Sequence, residues 1–379
     1  MKIVFISNYF THHQKPLSDA LFNLTGGEYL FLATEKMSDD RKSQGWTVDL
    51  PDYVHELDMS DSNAVKQYTD VINNADAVIQ GHLYDVLVEA RIASGKLTFI
   101  YNERLYKSPK RYLKLPMYYY KGIKQRSCYI LTASAFTAYD YSLTRSYLGR
   151  CFKFGYFPIA KKYSIQELID KKDKFCIIWV ARMIDWKHPE VPFLIAKRLR
   201  DEGYKFILKM IGTGDLLDRY KNLAMSENLQ DYIMLTGAIK PEQVREEMEN
   251  AGIMLFTSDR NEGWGAVLNE AMNSGCAVVA SHVIGAVPYL LKNNKNGIVY
   301  RDGDIEDAYH KIKALLDNTG LQGILGLNAY HTIANTWNAD KAAANLLTLI
   351  DNLQNSKVSI PDGPCSPAEI IKDNWNVCQ

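Results

Sequence analysis

Residues Ile253–Ser281, IMLFTSDRNEGWGAVLNEAMNSGCAVVAS, contain the pattern that decides the fold. A short apolar run at Ile253–Phe256 is followed by a polar loop, a helical pattern from near Gly265, and a second apolar run at Ala277–Ala280. Apolar runs of about four to eight residues separated by a helix are typical of buried parallel strands in βα units. The segment therefore predicts a strand–helix–strand unit of a parallel sheet.

The same alternation extends over the 379 residues of the chain. The other predicted strands are Ile3–Ser7, Tyr29–Ala33, Ala77–Ile79, Leu97–Tyr101, Tyr129–Ala133, Phe175–Val180, Phe206–Ile211, Ile233–Thr236 and Gly297–Tyr300. The polar segment Pro158–Asp173 interrupts the series, which restarts at Phe175. We predict an α/β protein of two doubly wound, Rossmann-like domains that face each other across a cleft, lined by the C-terminal ends of the strands.

The predicted domain boundaries are residues 1–165, 166–355 and 356–379. The third segment is a connector that ends in a short helix and packs back toward the first domain. Ser366, Pro367 and Glu369 supply the N-cap, first-turn proline and capping-box acid that predict this helix.

The composition indicates a protein of the cytoplasm. Lys plus Arg and Asp plus Glu are equal at 44 each, which argues against a nucleic-acid-coating function. The six cysteines form no CxxC pair, so we expect free thiols in a reducing compartment and no zinc site. We also expect no signal peptide and no membrane-spanning helix, since no apolar run approaches about 18 residues.

Two acids, Glu262 and Glu270, flank the start of the helix in the opening segment. If all the intervening residues were helical, the acids would lie roughly 12 Å apart along the axis. Carboxylates accept hydrogen bonds from vicinal hydroxyls, and free amides at a helix start bind a diphosphate between them. An isolated pair with this spacing is more often two surface glutamates, so the neighbouring segments decide its meaning.

Three further segments follow predicted strands. In IIWVARMIDWKHP, Arg182 and Lys187 suit a diphosphate, although a solvated loop carries the same charges. In KMIGTGD, Gly212 and Gly214 permit a tight turn or a close approach of the backbone to a ligand. In LTGAI, Gly237 ends a strand whose exposed backbone is suited to the edge of a base.

In this order, the four segments resemble the C-terminal domain of GT-B-fold glycosyltransferases of family 4, the "glycosyl transferases group 1" type. The resemblance implies a retaining, metal-independent hexosyltransferase without a cofactor, which moves a sugar from a nucleoside diphosphate donor, UDP favoured over GDP, to a glycan or lipid-linked acceptor. It makes the first domain the acceptor side and the second the donor-binding side. By resemblance, Arg182 and Lys187 hold the diphosphate, and the catalytic set is completed by Glu262, which contacts the donor sugar. The donor-binding residues implied are Gly212, Gly214, Thr236, Gly237, Ala238, Ile239, Gly263, Trp264, Gly265 and Glu270, the last on the ribose.

The first domain departs from the family pattern. The family's Gly-Gly loop is replaced by Ser7–Gln14, where His12 and His13 either donate to phosphate or acceptor oxygens or form a polar helix start. No histidine follows Leu97–Tyr101, so either Glu103 or Arg104 substitutes for it or the role at this position differs.

Two other departures concern His82 and Tyr289. His82 is the remaining acceptor-side candidate, with a structural role as the alternative. Tyr289 stands where the family often has a Glu, which leaves the sugar undetermined.

Residues 105–126 are basic and rich in tyrosine, and Leu105–Tyr139 contains no acid. Such a stretch suits peripheral contact with the inner face of a membrane or a phosphate-bearing acceptor. The alternative is a solvated helical face with tyrosines packed beneath it. Nucleic acid is disfavoured by the neutral charge balance. Asp302-Gly303-Asp304 is interpreted as a turn before a helix, and we expect no metal.

Other functions remain open at this stage. A GT-B nucleotide-sugar epimerase and a sugar-nucleotide-binding module without turnover have the same donor signals. A nicotinamide dehydrogenase is disfavoured because no GxGxxG follows Ile3–Ser7.

Overall fold

A computed structural model of the chain describes residues 1–37, 49–81, 85–105, 115–355 and 358–375. Contacts divide the chain into two compact units. The first contains Met1–Ile159 and Trp337–Lys372, and the second contains Ala160–Thr336 and the residues from Asp373 onward. This division differs from the predicted boundaries, because the last long helix groups with the first unit.

The first unit is built on a seven-stranded sheet. Its strands are β1 (Ile3–Ser7), β2 (Tyr29–Ala33), β3 (Val54–Glu56), β4 (Ala77–Gln80), β5 (Thr98–Asn102), β6 (Cys128–Thr132) and β7 (Cys151–Lys153). They pair in parallel in the order β3-β2-β1-β4-β5-β6-β7. The interior strand β1 is buried along its whole length, as expected for a parallel sheet covered on both faces.

Helices of the first unit follow the strands in sequence. They are α1 (Lys15–Leu24), α2 (Ser62–Asn74), α3 (Asp85–Ala93), α4 (Leu115–Lys124), α5 (Thr137–Leu143) and, from the end of the chain, α14 (Ala339–Gln354). The helix α2 begins after Asp61, whose carboxylate accepts hydrogen bonds from the amides of Asn63 and Ala64. The two helices α1 and α14 pack against each other.

The segment 358–372 packs on the edge strand β7 of the first unit. Phe152 and Pro367 form an antiparallel bridge, and the Lys153 ammonium binds Asp362 at 2.7 Å and Glu369 at 2.8 Å. The predicted short helix after Ser366 is wrong, because residues 366–372 are not helical. The Ser366 hydroxyl donates to the carbonyl of Gly363 at 2.8 Å instead of capping a helix.

The second unit is built on a six-stranded parallel sheet. Its strands are β8 (Asp173–Val180), β9 (Ile207–Ile211), β10 (Ile233–Gly237), β11 (Ala251–Phe256), β12 (Ala277–Ser281) and β13 (Ile298–Tyr300). Its helices are α6 (Ile165–Asp170), α7 (Glu190–Asp201), α8 (Leu217–Ser226), α9 (Pro241–Asn250), α10 (Ala266–Asn273), α11 (Val287–Leu290), α12 (Ile305–Asp317) and α13 (Thr319–Asn335).

The strand order of the second sheet is β10-β9-β8-β11-β12-β13. The direction of winding therefore reverses between the neighbours β8 and β11, which pair in parallel. A reversal of this kind opens a crevice beyond the carboxyl ends of the two strands. Both strands are anchored in the core of the unit through buried residues such as Trp179 and Leu255.

Within the part of the chain that the structure covers, no helix combines the length and apolarity needed to cross a bilayer.

Candidate functional site

The loops that follow β8 and β11 meet at the reversal point of the second sheet. The first loop carries Arg182, Trp186 and Lys187, and the second carries the segment Thr257–Gly265. The amide of Asp259 donates to the carbonyl of Trp186 at 3.0 Å and joins the two loops. The structure thus brings together the two segments that carry the predicted catalytic residues.

Lys187 and Glu262 form an ion pair between the two loops. Their side chains are only 11% and 12% exposed, and Glu262 also accepts a hydrogen bond from the Ser258 hydroxyl at 2.9 Å. Burial lowers the pKa of Lys187 despite the attraction of Glu262, and nearby Arg182 lowers it further. Lys187 is therefore a partly desolvated cation, and the Glu262 carboxylate compensates its charge.

Thr257 connects this cation to the core of the second unit. The buried Trp179 indole donates to the Thr257 hydroxyl at 2.8 Å, and that hydroxyl donates to the carbonyl of Lys187 at 2.6 Å. The backbone turns sharply at the next residue, His188, whose φ is 53°. The loop that presents Lys187 is thus fixed to β8 and β11 by one threonine.

Trp186 lies beside both predicted cations. The Lys187 ammonium is 4.3 Å from the centroid of the Trp186 ring, and the Arg182 guanidinium carbon is 5.7 Å from it. Arg182 is exposed, and none of the residues that the structure describes forms an ion pair with it. Its charge therefore remains available to an anionic ligand.

The two glycines of the KMIGTGD segment pack against the loop after β8. A Cβ atom at Gly212 would lie 1.9 Å from the carbonyl oxygen of Ala181, and one at Gly214 would lie 2.5 Å from that of Met183. Their φ angles of 139° and 153° also disfavour other residues. The glycines are required for close loop packing, which fixes the backbone beside Arg182.

Gly265 ends the loop that carries Glu262 and packs closely against Phe256. Its φ is 91°, and a Cβ atom there would lie 2.7 Å from the Phe256 ring. Helix α10 begins only at Ala266, so the estimate of roughly 12 Å for a fully helical Glu262–Glu270 spacing does not apply. The amide of Gly263, the residue after Glu262, has no hydrogen-bond partner within the described ranges.

Trp264 has a structural contact in addition to its predicted role. Its ring is fully buried, and its indole donates to Asn269 at 2.9 Å. The carbonyls of Glu262 and Trp264 accept hydrogen bonds from the amides of Gly285 at 3.2 Å and Ala286 at 3.1 Å. The loop that carries Glu262 is therefore fixed by hydrogen bonds to α10 on one side and to the segment just before α11 on the other.

Glu270 lies on α10 and is partly buried. Burial raises its pKa above the usual value, although nearby Arg245 acts in the opposite direction. Where the structure describes the chain, no side chain or backbone group forms a hydrogen bond with this carboxylate. Such an acceptor is suited to the hydroxyl groups of a ligand.

The predicted base-contacting loop ends β10. Gly237 has a φ of 72°, and its carbonyl accepts a hydrogen bond from Gly212 at 2.9 Å and from the Thr236 hydroxyl at 3.0 Å. Ala238 is exposed and Ile239 is half-buried. The loop is thus hydrogen-bonded to the turn at Gly212, and its residue Ala238 is accessible to a ligand.

The acceptor-side candidates of the first unit have different environments. The rings of His12 and His13 are 3.9 Å apart, and burial followed by the proximity of His12 lowers the pKa of His13 to about 3. His13 is therefore neutral at physiological pH. The Glu103 carboxylate accepts a hydrogen bond from the Tyr156 hydroxyl at 2.9 Å. His82 lies outside the described residues.

Arg104 is a structural residue rather than an acceptor contact. Its guanidinium pairs with Asp140 at 3.2 Å, and both side chains are at most 2% exposed. The guanidinium also lies 4.9 Å from the Phe136 ring centroid. Buried and paired in this way, Arg104 stabilises the first unit and is not open to a ligand.

The Asp302-Gly303-Asp304 segment forms a turn. Asp302 accepts a hydrogen bond from the Ser281 hydroxyl at 3.1 Å, and Asp304 caps α12 by accepting from the amide of Asp307 at 2.9 Å. Across the described ranges, no three His, Cys, Asp or Glu side chains are grouped to hold a metal ion.

The two parallel-sheet α/β units give the chain the GT-B fold, and its structural neighbours are glycosyltransferases. A glycosyltransferase from Rickettsia africae has a TM-score of 0.67 at 15% identity, with 94% of this chain and 99% of that chain covered. Anabaena Alr3699/HepE, solved in complex with UDP, has a TM-score of 0.67 at 14% identity, with 92% and 100% covered. At such identities the similarity establishes the fold.

Sequence similarity is concentrated in the second unit. Residues 161–332 match the family model for glycosyl transferases group 1, which confirms the predicted resemblance to that group over this part of the chain. The uncharacterized glycosyltransferase MJ1069 of Methanocaldococcus jannaschii is 30% identical over 198 residues. That alignment covers 52% of this chain, which spans about half the length of its relative.

Proposed function

We propose that this chain is a family-4 glycosyltransferase that moves a hexose from a nucleoside diphosphate donor to a glycan or lipid-linked acceptor. The observation that carries the proposal is the pairing of Lys187 with Glu262, beside Arg182, at the carboxyl ends of β8 and β11. Ligands of doubly wound sheets bind at this position. UDP is the favoured nucleotide, and the similarly folded HepE was solved with UDP.

The proposed reaction requires stabilisation of a departing diphosphate, which carries about two negative charges. Lys187 is already desolvated, so its attraction to an anion is stronger than that of a fully hydrated lysine. A bound diphosphate competes with Glu262 for this ammonium, and the released carboxylate then accepts hydrogen bonds from the donor sugar. Arg182 supplies the second positive charge, and the amide of Gly263 donates a hydrogen bond to the diphosphate.

Glu270 and the loop 236–239 would bind the nucleoside part of the donor. The Glu270 carboxylate has the unsatisfied acceptor capacity that the two ribose hydroxyls require. The backbone at Gly237–Ile239 is suited to the edge of the base.

We further propose transfer with retention and without a metal ion. The bond from the anomeric carbon to the leaving phosphate oxygen breaks, and a bond to the acceptor oxygen forms on the same face. The acceptor proton passes to the leaving phosphate oxygen, so no side chain has to serve as the base. Arg182 and Lys187 supply the positive charge that this departure needs.

A membrane-facing surface on α4 is part of the proposal, together with a location at the cytoplasmic face. Tyr119 and Tyr120 are 46% and 64% exposed, and the Lys124 ammonium is 5.3 Å from the Tyr120 ring centroid. Lys121 and Arg126 add positive charge, whereas the basic residues between 106 and 114 lie outside the described ranges. Mixed basic and aromatic side chains bind anionic lipid interfaces.

Vesicle sedimentation tests the α4 surface. We expect binding to vesicles that contain phosphatidylglycerol, loss of binding at high salt, and weaker binding of a Lys121→Glu, Lys124→Glu variant. A Lys66→Glu, Lys96→Glu variant has the same net charge and serves as the control. Equal binding of the two variants would contradict the assignment.

The donor proposal is tested by thermal shift and by turnover. UDP at 100 times its dissociation constant should add about 2.7 kcal/mol to the free energy of unfolding, and GDP should add less at the same concentration. Lys187→Met and Glu262→Gln should each reduce sugar transfer by about 100- to 1,000-fold with the fold intact. Lys221→Met, which changes an exposed lysine on α8, is the matched control.

Near-normal transfer by either site variant would refute the assignment. Product analysis without an acceptor separates transfer from epimerisation, because only an epimerase would convert the donor sugar into its epimer under those conditions.

A further inference from the structure

The first unit contains a cavity of about 420 Å³ that the proposed transfer reaction does not use. It lies where β1, β2 and β3 begin, between the end of α1 and one face of α2. Its lining includes Phe22, Glu28, Asp52, Tyr53, His55 and Tyr68. The volume is in the range of about 300–1,000 Å³ that is usual for small-molecule sites.

The position of the cavity separates it from the other candidate residues of this unit. His12 and His13 follow the carboxyl end of β1, whereas Lys2 in the cavity wall precedes its amino end. A five-residue strand spans roughly 17 Å, so the two edges of the sheet are about that far apart. The cavity is therefore a separate surface feature at the opposite edge of the sheet.

Aromatic rings form much of the wall and are held in place. The Tyr53 hydroxyl donates to Asp19 at 2.5 Å, and its ring centroid is 5.1 Å from that of Phe22. The Tyr68 hydroxyl and the His55 ring are hydrogen-bonded at 2.9 Å. Rings fixed before a ligand arrives cost little conformational entropy on binding.

The polar groups of the wall indicate a neutral, hydroxyl-rich ligand. The exposed polar residues of the lining are Glu28, Asp52, His55 and Gln67. Among the residues that the structure describes, Lys2 is the one Lys or Arg in the cavity wall. Two carboxylates against one ammonium disfavour a phosphate or a nucleotide. Carboxylate and amide oxygens accept hydrogen bonds from hydroxyls, and the apolar C–H face of a sugar ring packs on an aromatic face.

We infer that this cavity is a second saccharide-binding site, which holds an uncharged oligosaccharide portion of the glycan acceptor away from its reacting end. The identification of that ligand with the acceptor rests on the proposed transferase function. The saccharide site itself rests on the cavity and its lining.

Binding of uncharged hexasaccharides to the full chain tests the inference. Maltohexaose, cellohexaose and chitohexaose serve as probes, with dissociation constants from titration calorimetry and contacts from hydrogen exchange. We expect at least one probe to bind and to protect residues 27–30, 52–55 and 65–71. Tyr68→Ala should weaken binding about tenfold, which corresponds to the loss of one stacked ring.

Gln67→Ala provides a second variant with little risk to folding, because this side chain is exposed. It should weaken binding about fivefold through the loss of one hydrogen bond. Leu148→Ala removes an exposed apolar side chain elsewhere on the same unit and should bind like the wild type. UDP binding should be unchanged in all three variants, because the proposed donor site is built from the second unit, and urea unfolding checks that the first unit of each variant is folded.

Absence of millimolar binding by all three probes, or wild-type binding by both cavity variants, would overturn the inference. A failure of the proposed function has a different signature, namely no UDP binding or no sugar transfer while hexasaccharides still bind at residues 52–55 and 65–71.

Discussion

The partly buried environment of Glu270 predicts how donor binding depends on pH. Burial raises the pKa of this carboxylate above the usual 4.5. Only the ionised form offers all its oxygens to the ribose hydroxyls, so binding should weaken as the pH falls through the raised pKa. We expect the affinity for UDP to decline at a higher pH than an ordinary glutamate would produce. Calorimetric titrations across the acidic range measure this decline.

Glu270→Gln separates this effect from the titration of UDP itself. The variant should bind UDP more weakly at neutral pH and should lack the acidic decline that belongs to Glu270. A 2′,3′-dideoxy analogue of UDP has no ribose hydroxyls and should bind the variant and the wild type equally. An unchanged acidic decline in Glu270→Gln would remove Glu270 from the ribose site.

Thr257 is a positioning residue whose hydroxyl fixes the Lys187 loop. Thr257→Val leaves the Trp179 indole without its acceptor and the Lys187 carbonyl without its donor. The unsatisfied buried group should lower the free energy of unfolding by about 1–3 kcal/mol. We also expect the affinity for UDP to fall about tenfold, because the ammonium is no longer fixed.

Two further variants separate positioning from stability. Thr257→Ser retains the hydroxyl and should restore UDP binding. Trp179→Phe should lower stability but leave the hydrogen bond from Thr257 to Lys187 intact, so UDP binding should persist. If Thr257→Val bound UDP as tightly as the wild type, Thr257 would have only a structural role.

The sequence predicted charged residues of the candidate site but not the residues that hold them in place. Lys187 and Glu262 were predicted because four segments, each weak by itself, occur in the order found in family-4 glycosyltransferases. Thr257 was missed, since a threonine after a strand is ordinary until a partner 70 residues away is known. Arg104 was assigned to the acceptor side because a sequence does not show that Asp140 neutralises it inside the unit.

At the scale of elements, the glycine turn after β9 makes a direct prediction about stability. Gly212→Ala would place a methyl group against the Ala181 carbonyl at a φ of 139°. We expect the free energy of unfolding to fall by about 1–3 kcal/mol or more, because the backbone must move or remain strained. The affinity for UDP should fall as well, since the displaced loop carries Arg182. Urea unfolding and calorimetry measure the two effects.

Gly323 offers the matched control. It lies exposed within α13, has no atom within 4 Å of a built Cβ, and should tolerate alanine. Gly323→Ala should raise stability by about 0.8–1 kcal/mol through helix propensity. Equal stability of Gly212→Ala and the wild type would show that the contact with Ala181 relaxes without cost.

The core strands of both sheets and the edge strands of the second sheet were predictable from the sequence, whereas the edge strands of the first sheet were not. Ile3–Ser7 and Tyr29–Ala33 have the predicted bounds, and the other predicted strands differ by at most two residues at either end. Val54–Glu56 and Cys151–Lys153 were missed because their sequences, VHE and CFK, contain polar residues and form no apolar run, unlike IVY of the equally short β13. The helix signal at Ser366 failed because Pro367 pairs with Phe152.

At the scale of the whole molecule, the last long helix does not belong to the unit that precedes it in the sequence. Helix α14 follows the second unit directly but packs on α1 of the first unit. Its pattern of apolar residues shows that one face is buried, but that pattern does not identify the core that covers it. Assignment of the helix to residues 166–355 therefore followed chain order, whereas tertiary contacts determine the actual grouping.

Lys153 forms ion pairs that attach the segment 358–372 to β7 of the first unit. We expect the loss of these ion pairs to increase local opening of that segment only. The Lys153 side chain is 8% exposed, whereas those of Asp362 and Glu369 are 67% and 61% exposed. Ion pairs with such exposed partners contribute little, so Lys153→Met should cost only about 1 kcal/mol of global stability. Hydrogen exchange at residues 363–368 should nevertheless accelerate, because only local contacts oppose opening there.

Lys153→Met should alter the first unit without changing donor binding by the second unit. The proposed UDP site is built from residues of the second unit, so the affinity of Lys153→Met for UDP should equal that of the wild type. Lys66→Met, which changes an exposed lysine on α2, controls for the loss of one positive charge and should leave exchange at residues 363–368 unchanged. Unaltered exchange in Lys153→Met would show that the segment is held without the ion pairs, by the hydrogen bonds from the Lys153 amide to the Ser366 carbonyl and from the Cys365 amide to the Lys153 carbonyl.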